Sequence, residues 1–117
     1  MPHLLIASDR VEGTAVYDRD GKNIGSIQRV MIDKISGTIA YAVLTFGGFF
    51  GFGKRHFPIP WDALKYNIER GTSGGYEVEI AENQLKDAPS YELGENFDWG
   101  DRSDEIRNRF PIHSGWV

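Results

Sequence analysis

In the stretch "GGFFGFGKR", Gly48, four intervening residues, Gly53 and Lys54 stand at the spacing of a phosphate-binding loop. Such a loop works because backbone N–H groups and the N-terminus of the next helix point at the anion, while a Ser or Thr hydroxyl holds magnesium. Arg55 stands where that hydroxyl belongs, Phe49, Phe50 and Phe52 fill positions where backbone must approach phosphate, and "HFPIPW" is held extended by its prolines. The stretch therefore reads as a turn between strands. Its glycines let the hairpin bend, and Phe49, Phe50, Phe52, Lys54 and Arg55 form a candidate interaction rim. Beside Lys54, Arg55 and His56 the three phenylalanines could also stack on single-stranded RNA bases. The plainer reading places them in the core or a dimer seam, with Lys54 and Arg55 in water.

Asp18, Asp20 and Asn23 in "DRDGKN" are oxygen donors, yet the Gly and distal Glu of an EF-hand loop are not at the required spacing. A plain turn is the reading taken. His3, His56 and His113 are scattered, with no His or carboxylate at metal-ligand spacing. No Ser/His/Asp set can be assigned from spacing, since triads are defined by geometry. No catalytic residue, cofactor or metal is therefore expected.

The elements that would position these residues belong to a chain of 117 residues, 40% hydrophobic and 13% aromatic, enough for one globular core. No run approaches the ~20 apolar residues that cross a bilayer. The start, "MPHLLIASDRVEG", has no basic region before its short apolar run, so a soluble cytoplasmic protein is expected. With no cysteine, disulfides, thiolate catalysis and cysteine-held metals are excluded. The net charge of −4 is uneven: residues 1–60 carry seven Lys/Arg against five Asp/Glu, residues 61–117 six against twelve. The acidic later half would repel a nucleic-acid backbone.

Short apolar or β-branched runs between turn residues indicate an all-β barrel or sandwich. "TAVYD" reads as a strand, "DRDGKN" as a tight turn, and "IGSIQRVMID" as a long strand whose alternation slips between Ile27 and Val30, the mark of a bulge. "KISG" closes the next hairpin, with Gly37 supplying positive φ. "TIAYAVLTF" is apolar on both alternating sets and must be covered on both faces, by the C-terminal segment or by a second subunit. "RHFPIP" places Phe57 and Ile59 on one face, and Pro58 and Pro60 confine it to an edge or a break. "WDALKYN" is expected to make a helical turn capped by Asp62, and "YEVEI" a strand with Tyr76, Val78 and Ile80 inward and Glu77 and Glu79 outward. "AENQLKDAP" and "SDEIRNRF" read as short helices, the second capped by Ser103. Tyr91, Phe97, Trp99, Phe110 and Trp116 make the tail too aromatic to stand in solvent.

The order "VYDRDGKNIGSIQRVMID", "SGTIAYAVLTFGG", "GFGKRHFPIPWDAL" and "LKDAP" resembles the PRC-barrel domain. The resemblance spans residues 12–89 and rests on Gly21 and Gly25, Asp33 with Gly37, the run from Tyr41 to Gly48, and Pro60-Trp61 followed by Ala63-Leu64. It implies a small, mainly β barrel of about six strands that binds macromolecules. The family includes the cytoplasmic part of the photosynthetic reaction-centre H subunit and the ribosome-maturation factor of the RimM type. With neither the membrane helix of the first nor the companion domain of the second read in these residues, a stand-alone member is implied, and no catalytic residue carries over.

The expected organisation is thus a barrel over residues 12–89 and an aromatic, acidic extension over 90–117 with one or two short helices, docked on its own barrel or a partner's. The expected role is a non-enzymatic module that binds an unidentified protein partner, with peripheral attachment to a membrane-associated photosynthetic or electron-transfer complex allowed. An RNA- or ribosome-binding module is the alternative, and a small-ligand or enzymatic barrel the third. A homodimer is expected, with Tyr41, Leu44, Phe46, Tyr91, Phe97, Trp99, Phe110 and Trp116 at the seam or the docked tail.

Overall fold

The structure, a computed structural model, describes residues 5–46, 55–69, 74–80, 88–92, 97, 99 and 106. A short helix α1 (Ser8–Val11) precedes six strands: β1 (Ala15–Tyr17), β2 (Asn23–Ile32), β3 (Ile39–Phe46), β4 (Phe57–Pro60), β5 (Leu64–Asn67) and β6 (Gly75–Val78). They form one mostly β, curled half-barrel sheet in the order β4-β3-β2-β1-β6-β5.

Local chemistry sets the first two hairpins. Between β1 and β2, Asp18 Oδ1 accepts from the backbone N–H groups of Asp20 and Lys22 at 3.0 and 2.9 Å, so this carboxylate is engaged in shaping the turn. Between β2 and β3, Asp33 Oδ1 accepts from Ile35 and Ser36 N–H at 2.8 and 3.0 Å, and Gly37 takes φ +77°. The bulge sits where the alternation slips: Ile27 pairs with Leu44 and Arg29 with Val43, leaving Gln28 as the extra residue.

β4 occupies the edge, as its prolines require, pairing Phe57 with Leu44 and Ile59 with Ala42. Its partner β3 is covered on both faces. Leu44 and Phe46 lie in the core with Phe57 and Ile59, and the Phe46 and Phe57 rings meet edge to face at 5.5 Å. The other set, Tyr41 and Val43, pairs with Pro60 and Pro58 and is also buried.

Two expectations need correction. Only Trp61–Ala63 makes a turn of 3₁₀ helix, preceded by Pro60 and without a side-chain cap from Asp62; "LKYN" is instead strand β5. Antiparallel pairing of Leu64 with Val78 and Tyr66 with Tyr76 supplies hydrogen bonds that an isolated helical turn could not match. Glu77 does not face outward: it is 5% exposed. β6 is an interior strand, parallel to β1 and antiparallel to β5, and all four of its residues are buried, so both its faces are covered. Asn67 Nδ2 donates to Glu77 Oε2 at 2.9 Å, meeting part of the carboxylate's need. The expected C-terminal helices lie outside the described residues except for Ala88, Pro89 and Ile106, the last fully buried against the core.

Candidate interaction site

The loop expected to carry the rim is flanked by paired strands. β3 ends at Phe46 in the core and β4 begins at Phe57, and the Leu44–Phe57 pair fixes these two stems side by side at one end of the sheet. Phe49, Phe50, Phe52 and Lys54 lie outside the described residues. Arg55 is described and half-buried. Its Nε donates to Ser90 Oγ at 2.7 Å and its terminal nitrogen to the Ser90 carbonyl at 2.9 Å. A guanidinium suits this task because its donors form a rigid fork.

His56 follows as a buried residue, 8% exposed. Its N–H donates to the Tyr91 carbonyl at 2.7 Å, and the Tyr91 N–H donates back to the His56 carbonyl at 3.0 Å, a narrow antiparallel bridge that extends the β4 edge. The imidazole lies 5.4 Å from the Tyr91 ring, and its Nδ1 is buried without a hydrogen-bond partner. Burial, and secondarily the positive charge of Arg29, holds the His56 pKa below its ordinary value. Burial raises the Tyr91 phenol above its ordinary range, with Arg29 acting weakly in the opposite direction.

From Tyr91 an aromatic series runs over the outer set of β3. Tyr91 meets Phe97 at 5.3 Å and Trp99 at 6.2 Å, Phe97 meets Trp99 at 4.8 Å, and Trp99 reaches Tyr41 at 5.6 Å. At these residues the cover that β3 requires comes from its own chain. Of the residues expected at a seam or docked tail, Tyr41, Tyr91, Phe97 and Trp99 are thus brought together, whereas Leu44 and Phe46 pack in the core and Phe110 and Trp116 lie outside the described residues.

No group of three His, Cys, Asp or Glu side chains suited to a metal occurs among the described residues. No helix among them is long and apolar enough to cross a membrane. A cleft of about 600 Å³ brings Asp33 and Asp62 beside Trp61, Thr38, Ile39 and Ala40, a grouping that sequence spacing does not join. Sequence reasoning also missed the Arg55–Ser90 and His56–Tyr91 contacts. Both cross more than thirty positions, so no local periodicity reports them.

The glycines that mark the sequence sit where this geometry needs them: Gly21 and Gly37 at positive φ, and Gly25 packed against the β3 backbone. The sequence profile of the PRC-barrel domain matches residues 5–74. The chain belongs to the PRC-barrel family. No curated protein matches it closely enough to count as a relative. The PRC-barrel match begins just before α1 and stops short of β6, although β6 joins β1 to β5 in the sheet.

Proposed function

We propose that this PRC-barrel protein is a non-enzymatic interaction module that grips a protein partner with the 49–55 end of its sheet. The observation that carries the reading is the fixed pair of stems. Phe46 and Phe57 are locked in the core on adjacent strands, and Arg55 is tied to Ser90, so the described residues on either side of positions 47–54 are fixed next to one another. Phe49, Phe50 and Phe52 on such a mount are residue types that supply large contact area at an interface. With the Arg55 guanidinium engaged by Ser90, a protein partner is favoured over RNA, whose affinity rests mainly on cations reaching phosphate.

The test is affinity capture from the native cell with the wild-type chain beside a Phe49→Ala/Phe50→Ala/Phe52→Ala variant that retains Arg55 and the wild-type thermal transition. Loss of one or more captured proteins is expected. Equal recovery of the same proteins by both chains overturns the rim, and salt-dependent retention of single-stranded RNA moves the reading to nucleic acid.

The proposed module is a homodimer, an assembly suggested by the doubly apolar β3 and the aromatic tail. Part of that need is met within the chain by Trp99 on Tyr41, so the seam must draw on other surfaces. Light scattering at micromolar concentration decides: a mass of twice one chain supports the dimer, and the mass of one chain ends it.

A further inference from the structure

Residues 88–92 are held to the barrel at two adjacent points, and one of them is titratable. Arg55 grips Ser90 through both its side chain and its carbonyl, and His56 exchanges two main-chain hydrogen bonds with Tyr91. Pairing places Arg29 opposite Val43 and Val43 opposite Pro58. Alternation along β4 puts His56 on the same face as Pro58, and therefore on the face that carries Arg29. The buried imidazole thus lies on the face of the sheet that carries Arg29 and against the Tyr91 ring, with Nδ1 lacking a partner.

We propose that His56 is a proton-operated latch: neutral, it lets the 88–92 segment close over the β4 edge; protonated, it drives that segment off and uncovers the outer aromatic face around Tyr41.

The physical argument has three parts. A proton on His56 would place a cation in a site from which water is largely excluded. Nδ1–H would have no acceptor, which burial makes costly. The charged or titratable groups described around it are Arg29 from β2, the adjacent Arg55, and Tyr91 and Glu92 from the segment itself. Arg29 repels an imidazolium, the Arg55 guanidinium is turned to Ser90, Tyr91 stays neutral at these pH values, and Glu92 is exposed. Opening relieves the first two costs by letting water reach the ring and supply an acceptor for Nδ1–H, and it lets solvent screen the Arg29 charge. Tyr91 would carry with it the ring contacts to Phe97 and Trp99, and hence their cover over Tyr41.

The sign follows from the lowered folded-state pKa. The open form takes up its proton near the ordinary value of about 6.5, and the closed form does so only at lower pH. The latch is therefore fully closed above about pH 6.5 and weakens as pH falls through the interval between the two values. One proton limits the effect to about tenfold per pH unit.

The experiment is amide hydrogen exchange by NMR on the full chain between pH 7.5 and 5.5, corrected for the intrinsic exchange rate. Protection of the His56 and Tyr91 amides should fall below pH 6.5, by up to about tenfold per unit, while the Ala42 and Val43 amides hold theirs. In a His56→Gln chain the protection at Tyr91 should be independent of pH. Flat protection in the wild type, equal loss at Ala42 and Val43, or an unchanged pH dependence in His56→Gln each overturns the latch. Should His56→Gln fail to fold, the wild type decides alone: loss of protection at the His56 and Tyr91 amides that follows the imidazole titration supports the latch, and loss that does not follow it overturns the latch.

Discussion

Gly25 on β2 packs so closely against the Thr45 carbonyl on β3 that a side chain at position 25 would overlap backbone. The obstacle is the ladder itself and not a side chain that could swing away. Gly37 presents the opposite case, with φ +77° and open space where a Cβ would stand. Gly25→Ala should therefore cost about 1–3 kcal/mol or more through a forced strand shift, whereas Gly37→Ala should cost about 1–2 kcal/mol through left-handed backbone strain. Gly37→Asn should recover part of that loss, since Asn tolerates this region, while Gly25→Asn should be worse than Gly25→Ala. Urea unfolding of the four variants checks the ordering.

Asn67 on β5 donates a side-chain hydrogen bond of 2.9 Å to Glu77 on β6. Removing the carboxylate in Glu77→Ala deprives a part-buried amide of its acceptor and should destabilise by about 1–3 kcal/mol. Glu77→Gln keeps an oxygen for Asn67 and should lose clearly less. Equal losses in denaturant titrations would assign the effect to packing alone.

The Asp33 turn should weaken in acid. Backbone N–H donation from Ser36, and next from Ile35, favours the carboxylate and lowers its pKa. Its contribution is thus complete above the unfolded value of about 3.9 and is lost as pH falls through the lower folded value. Asp33→Asn retains an acceptor oxygen without the titration. The wild-type chain should be the more stable at neutral pH, with the gap closing below about pH 4; a constant gap down to pH 2 would count against the assignment.

Tyr91 is buried and joins three aromatic partners among the described residues, His56, Phe97 and Trp99. Tyr91→Ala should cost about 3 kcal/mol or more, the scale of a buried aromatic truncation. It should also raise binding of a hydrophobic dye, because the outer set of β3 loses cover. Tyr91→Phe should be nearly neutral on both measures if the ring packing is what matters.

What could be read from the sequence was whatever a residue imposes on its own neighbourhood. Pro58 and Pro60 cannot donate to a second ladder neighbour and so confine β4 to the edge. Gly37 tolerates positive φ, Asp33 can bond the N–H groups just after it, and the broken alternation after Ile27 marks the extra residue in β2. The family followed from these local signs taken in order. Tertiary structure alone decided that Leu64–Asn67 is a strand, that β6 runs parallel to β1 with Glu77 buried, that Arg55 is tied to Ser90, and that His56 lies under Tyr91. Each of those outcomes depends on a partner outside the element concerned: β6 for Leu64–Asn67, β1 for β6, and Ser90 and Tyr91 for Arg55 and His56. Burial and hydrogen bonding with that partner outweigh the local preference of the residue concerned, and the propensity and periodicity of the element itself express neither.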